Sequence, residues 1–173
     1  MEQQLKDAIR ASVQNFKLPG YEEIPDMGLY LEQATTYVSE RLAPLHSLTI
    51  TPSMVSNYVK RGLIEKPVRK LYHRDQIAYL IFIATAKSVL SLEDIQLLIN
   101  LQKKTYTPAV AYQYFCRELE NILFFIFGLK DTLEEVGVDR TDEKTMLRNT
   151  IITAAHKIYL DKYFRALQDN VPN

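Results

Sequence analysis

Thr51-Pro52 opens and Gly62 closes a segment of roughly three helical turns, and this bracket constrains the fold more than any other stretch of the chain. A threonine hydroxyl accepts a bond from an orphan backbone N–H at a helix start. Proline suits the first helical position, where no N–H is needed. Glycine suits the left-handed position just past the end. The bracket predicts a helix over 52–61. Met54, Val55, Tyr58 and Val59 fall at helical spacing and face a core, which leaves Ser53, Ser56, Asn57, Lys60 and Arg61 toward solvent. Short polar side chains near the start and cations near the end suit a helix that dips its first turn into a major groove.

The following stretch, 63–72, is short, alternates loosely and contains Pro67, as expected of a minimal wing or hairpin. Tyr72-His73-Arg74-Asp75 then leads into an apolar helix over 74–88. Ser91 supplies an N-cap with Asp94 at N3 and a Leu90–Ile95 staple, starting a helix to 103. Charge marks the same region. Between residues 60 and 74 stand Lys60, Arg61, Lys66, Arg69, Lys70 and Arg74 against Glu65 alone, a net +5 in a chain whose formal charge is zero. A basic segment in a neutral protein is the footprint of a phosphate-binding surface; it is equally a solvated loop whose cations favour a helix C-terminus.

Residues 51–64 resemble the recognition helix of the MerR family of bacterial regulators, whose pattern is Ser-Pro, then Leu-Arg-Tyr-Tyr-Glu, then Gly-Leu. Tyr72 to Ile77 resembles that family's Tyr-Thr-x-Glu-Asp-Leu, and Ser91-Leu92-Glu93-Asp94-Ile95 resembles its Ser-Leu-Glu-Glu-Ile. More closely, Leu18-Pro19 to Ile99 is similar to domain of unknown function family 1836, regarded as a MerR-like group. The resemblance implies an all-α protein with a MerR-like winged helix-turn-helix module and a C-terminal part that dimerises or binds a signal. Ser56 stands where the pattern has arginine, Val59 where it has glutamate, and only Tyr58 keeps the second tyrosine. The wing is shorter, His73 replaces a threonine cap, and the connection Ala43–Ile50 exceeds a tight helix-turn-helix turn.

The rest of the chain reads as helices. Leu5, Ile9, Val13 and Phe16 form one stripe of a helix over 2–16. Asp26 is a candidate N-cap for a helix over 27–42, with Met27, Leu31, Ala34 and Val38 inward. Thr107-Pro108 starts a helix to about 127 that is apolar nearly all round. Thr141 caps a last helix, 142–168, with Leu147, Ile151, Ala154, Ala155, Ile158 and Phe164 inward. A linker at 104–106 divides an N-terminal helix plus DNA-binding module (1–103) from a helical dimerisation or effector region (104–173).

The chemistry an enzyme needs is missing. His46, His73 and His156 are scattered, there is no Gly-rich phosphate loop, and Glu118 and Glu120 lie on different helix faces. Catalytic residues, metal ligands and cofactors are therefore expected to be none. The single cysteine, Cys116, reads as a small core residue or, less simply, a sensing thiol, and suits a reducing cytoplasm. The polar start of the chain is unlike a signal peptide. The apolar run 122–129 is too short to span a bilayer, so no membrane partner is expected.

The expected function is sequence-specific binding of double-stranded DNA by a homodimeric regulator. Ser53, Ser56, Asn57 and Lys60 would approach base edges, beside Thr51 and Tyr58; Arg61, Lys66, Arg69, Lys70 and Arg74 would hold the backbone. Tyr72 would either touch phosphate or pack beneath the wing. Tyr112, Phe115, Phe124, Phe125 and Phe127 would line a pocket for a small-molecule effector or form a dimer surface. A rival reading is a protein–protein interaction module that keeps the fold without DNA binding. For the dimer, the alternative is that the helix over 2–16 folds back over the apolar surface and leaves a monomer.

Overall fold

The local start and stop signals build most of the helices directly. The computed structural model describes residues 2–137 and 139–169, and seven α-helices follow one another. They are α1 (Glu2–Ala11), α2 (Leu31–Leu42), α3 (Pro52–Lys60), α4 (Arg74–Ala86), α5 (Leu92–Thr105), α6 (Pro108–Ile126) and α7 (Asp142–Asp169). Short 3₁₀ turns lie at Tyr21–Glu23 and Ala43–Leu45. Among the described residues the only β pairing is two isolated bridges, Val68–Leu71 and Leu29–Tyr72. The all-α class expected from the sequence holds.

Four hydroxyls cap helices as read from the sequence. Thr51, Ser91, Thr107 and Thr141 accept from the amides of Met54, Asp94, Val110 and Lys144 at 3.2, 3.1, 3.3 and 3.3 Å. Gly62 lies at φ +76°; its amide donates to the Val59 carbonyl at 3.1 Å, while that of Leu63 donates to Tyr58 at 2.9 Å. This is a Schellman closure with its apolar pair, Leu63 and Tyr58, both buried. The same closure at Gly128 ends α6.

Three expectations need correction. The first helix ends at Ala11 rather than near 16; turns follow, though Val13 and Phe16 still reach the core. The second helix starts at Leu31, not 27, and Asp26 is not its cap. Residues 28 and 29 are drawn instead into pairing with the chain before α4: Leu29 and Tyr72 exchange both backbone hydrogen bonds, at 2.9 and 2.8 Å. The Gln33 side chain then caps the Tyr30 amide at 2.9 Å, and Met27, expected inward, is 83% exposed. Phe164, also expected inward, is 55% exposed, while Lys162 is buried.

Gly28 makes the Leu29–Tyr72 approach feasible. It lies at φ +87°, and a Cβ there would fall 2.9 Å from Leu71 Cβ and 3.1 Å from His73 Cε1. A Cβ on Gly62 would meet nothing within 4 Å. Gly28→Ala is therefore expected to cost about 2 kcal/mol or more, from backbone strain plus collision, and Gly62→Ala about 1 kcal/mol from strain alone. Chemical denaturation of the two variants checks the order; equal losses would mean that residues 28–29 separate from the chain before α4.

One core runs through the chain. α4 is buried nearly all round, with Ile77, Leu80, Ile81 and Ile83 inaccessible. It packs against α2 on one side and α6 and α7 on the other, and α5 also meets α7. α5 continues to Thr105, beyond the expected end at 103, which leaves Tyr106 and Thr107 between it and α6; the buried cluster extends from Ile9 to Ile158, across that junction. α1 lies against α7. Phe127 is buried edge-on to Tyr159, ring centroids 5.2 Å apart, Phe124 is half-buried, and Phe125 is 39% exposed. Glu118 is wholly buried on α6, and among the described residues neither carboxyl oxygen has a hydrogen-bond partner. No helix among the described residues is long and apolar enough to cross a membrane.

Candidate nucleic-acid interface

Burial of one side of α3 decides what its other side presents. Val55 and Tyr58 are buried and Met54 and Val59 half-buried. Ser53, Ser56, Asn57 and Lys60 are exposed, spaced three, one and three residues apart, so they form a single face. Thr51 is exposed as well, but its hydroxyl is used as the helix cap.

The stretch after α3 forms a hairpin as short as hairpins become. Val68 and Leu71 exchange both backbone bonds, at 3.2 and 2.9 Å, around Arg69 and Lys70. Both turn residues have positive φ, 51° and 67°. That is the type I′ arrangement, which favours Asn-Gly and is unfavourable for residues with long side chains. Arg69 and Lys70 are both exposed at its tip. The hairpin is anchored through Leu29–Tyr72, and the Gln76 amide donates to the Glu65 carbonyl at 3.0 Å.

The six cations divide into two groups. Arg61 pairs with Glu93 on α5; backbone hydrogen bonding at the helix start and then the Arg61 guanidinium hold that carboxyl below its usual range. Arg74 is built into the protein. Its guanidinium reaches the Glu22 carboxylate at 2.9 Å and the carbonyls of Ile24 and Glu22 at 3.0 and 3.3 Å, and lies over the Tyr21 ring. Lys60, Lys66, Arg69 and Lys70 are exposed and make no ion pair or side-chain hydrogen bond among the described residues. Tyr58 and Tyr72 are buried, which raises both hydroxyl pKa values. Tyr72 is only 4% exposed and belongs to the core cluster.

One cation absent from the sequence reading joins this surface. Lys87, just past α4, places Nζ 3.3 Å from Met54 Sδ in the first turn of α3, and partial burial lowers its pKa. Nothing in the sequence pattern links positions 54 and 87, which meet only through packing.

The aromatic set is split. Tyr112 and Phe115 line an apolar cavity of about 240 Å³ between α4, α5, α6 and α7, with Tyr106 and Tyr114; Phe124, Phe125 and Phe127 do not. Cys116 is half-buried, and desolvation pushes its thiol to about 12, so it is protonated at neutral pH.

No curated protein and no solved structure matches the chain. A family model described as Domain of unknown function (DUF1836) matches residues 19–115. The match runs from the segment before the first 3₁₀ turn through α2, α3, the hairpin, α4 and α5 into α6, further than the similarity ending at Ile99 that the sequence reading recognised. With more than half of its length inside that match, the chain belongs to the DUF1836 family of domains of unknown function.

Proposed function

We propose that the protein is a sequence-specific DNA-binding transcriptional regulator, without enzymatic activity, that acts as a homodimer through a MerR-like helix-turn-helix module. The observation that carries this reading is the hairpin tip. Two cationic residues occupy backbone positions that favour Asn and Gly, and strain of this kind is characteristic of functional sites. Lys60 and Lys66 add two further unpaired cations, and the polar face of α3 stands beside them. In this reading Ser53, Ser56 and Asn57 meet base edges in the major groove, and Lys60, Lys66, Arg69 and Lys70 hold phosphates. Arg61 and Arg74 brace the module from within. A dimer follows from the small area that one short helix and one hairpin offer. Leu160, Phe164 and Leu167, exposed at helical spacing on α7, supply an apolar stripe for it.

A second reading, an interaction module on the same fold, is favoured by a specific observation: two of the six cations are spent on internal partners. Sequencing genomic fragments that co-purify with the protein distinguishes the two. Regulation predicts enrichment of a few inverted repeats, as two symmetry-related reading heads require. Fragments no different from input DNA would favour the interaction module.

A further inference from the structure

The cavity of about 240 Å³ lies where the family-matched region meets α7. Its floor is apolar: Phe82 and Phe115 meet edge-on at 5.5 Å, with Leu98, Ile99 and Leu147 around them. Most polar groups on its walls are already satisfied within the protein. The Tyr79 hydroxyl donates to Gln102 at 2.8 Å, the Gln102 amide to the Tyr106 carbonyl at 2.7 Å, and the Tyr112 hydroxyl to the Pro19 carbonyl at 3.0 Å; the Tyr106 and Thr141 hydroxyls pair at 3.0 Å. Such walls recognise a ligand by shape and apolar contact.

The mouth is different. Lys144 Nζ is held 4.8 Å from the Tyr114 ring centroid and 6.0 Å from that of Tyr106. Its one ion-pair partner among the described residues, Asp139, is 3.4 Å away with a side chain 55% exposed. That distance is long for a charge-assisted bond, so Asp139 neutralises the ammonium only weakly, and the buried Glu118 carboxyl feels its charge from within. Glu143, also at the mouth, turns its carboxylate to the Thr105 hydroxyl at 2.8 Å.

We propose that this cavity binds a flat, mainly apolar molecule of about two fused rings carrying one acidic group, with the acid at Lys144. Size supports the ring count, since an apolar cavity of about 150 Å³ accommodates a single benzene. Aromatic walls suit the edges and faces of a planar ligand. Two cations line this otherwise apolar site, Arg117 and Lys144, and Lys144, held against the Tyr114 and Tyr106 rings at the mouth, is the one placed to select an anionic group. The inference makes no use of DNA binding and stands or falls separately from it.

Titration with 2-naphthoate, read by its fluorescence, tests the proposal; the chain has no tryptophan to interfere. Saturable one-to-one binding is expected, with neutral 2-naphthamide roughly tenfold weaker, as loss of about 1.4 kcal/mol would give. Lys144→Met should remove that preference while leaving naphthamide affinity unchanged. Ala111→Phe, which fills the cavity, should abolish binding of both ligands without lowering the melting temperature; Leu147→Phe is a second filling variant should the first destabilise the fold. Absence of saturable binding up to millimolar ligand, equal affinity for acid and amide, or full binding in both folded filling variants would overturn the proposal. Naphthoate binding in a protein that ignores DNA would sink the proposed function and leave this site intact.

Discussion

Arg148→Met is expected to lower stability by about 3 kcal/mol at pH 8 and by far less at pH 5. Arg148 on α7 places Nε 3.5 Å from the Glu118 carboxylate on α6, and that carboxyl is wholly buried with neither oxygen hydrogen-bonded among the described residues. Burial raises the Glu118 pKa and Glu135 adds to the rise; Arg148, then the Asn121 side chain and, least, Lys144 oppose it. A carboxyl whose folded pKa lies above its unfolded value contributes stability that is fully present below the unfolded pKa and is lost as pH rises through the folded one. Removing Arg148 pushes the folded value higher; the unfolded value is common to both proteins, so the penalty grows as pH rises from the parent's folded pKa toward the variant's. Glu118→Gln eliminates the titration. It should be at least as stable as the parent at pH 8 and should make a following Arg148→Met change nearly silent. Urea unfolding at both pH values reads the effect. An equal loss at pH 5 and pH 8 would show that Arg148 acts by packing and not through the buried charge.

How much of this was legible beforehand follows from the range of each interaction. Thr51, Ser91, Thr107, Thr141 and Gly62 act on amides and carbonyls a few residues away, so their helices start and stop where the sequence says. The start of α2 depends on Tyr72, far along the chain, and local propensity around Asp26 carries no trace of it. Helices apolar on several sides do not declare which side faces inward. That is why Phe127 and Phe164 exchange their expected roles, and why nothing in the sequence marks Glu118 as buried. At the candidate interface the same rule applies. The polar face of α3 was readable from helical period alone. The commitment of Arg61 to Glu93 and of Arg74 to Glu22 was not, because both partners are distant in sequence. A local charge count therefore overstates the cations available to a partner.

The hairpin tip offers a substitution that separates fold from function. Replacing Arg69 by Asn and Lys70 by Gly removes both charges and installs the pair that a type I′ turn prefers, so the variant should be at least as stable as the parent. If the four unpaired cations of each protomer hold phosphate, a dimer makes about eight such contacts, and log affinity falls by about 7 per decade of salt. The variant keeps about four, so the slope should flatten by about 3.6 and affinity at 0.1 M salt should drop on the order of a thousandfold. The decisive measurement is the affinity of parent and variant for duplex DNA across a salt series, alongside their melting temperatures. A stable variant with a flattened slope is the predicted result. Identical slopes in two folded proteins, or no DNA binding by the parent even at low salt, would contradict the reading of this surface as a DNA interface.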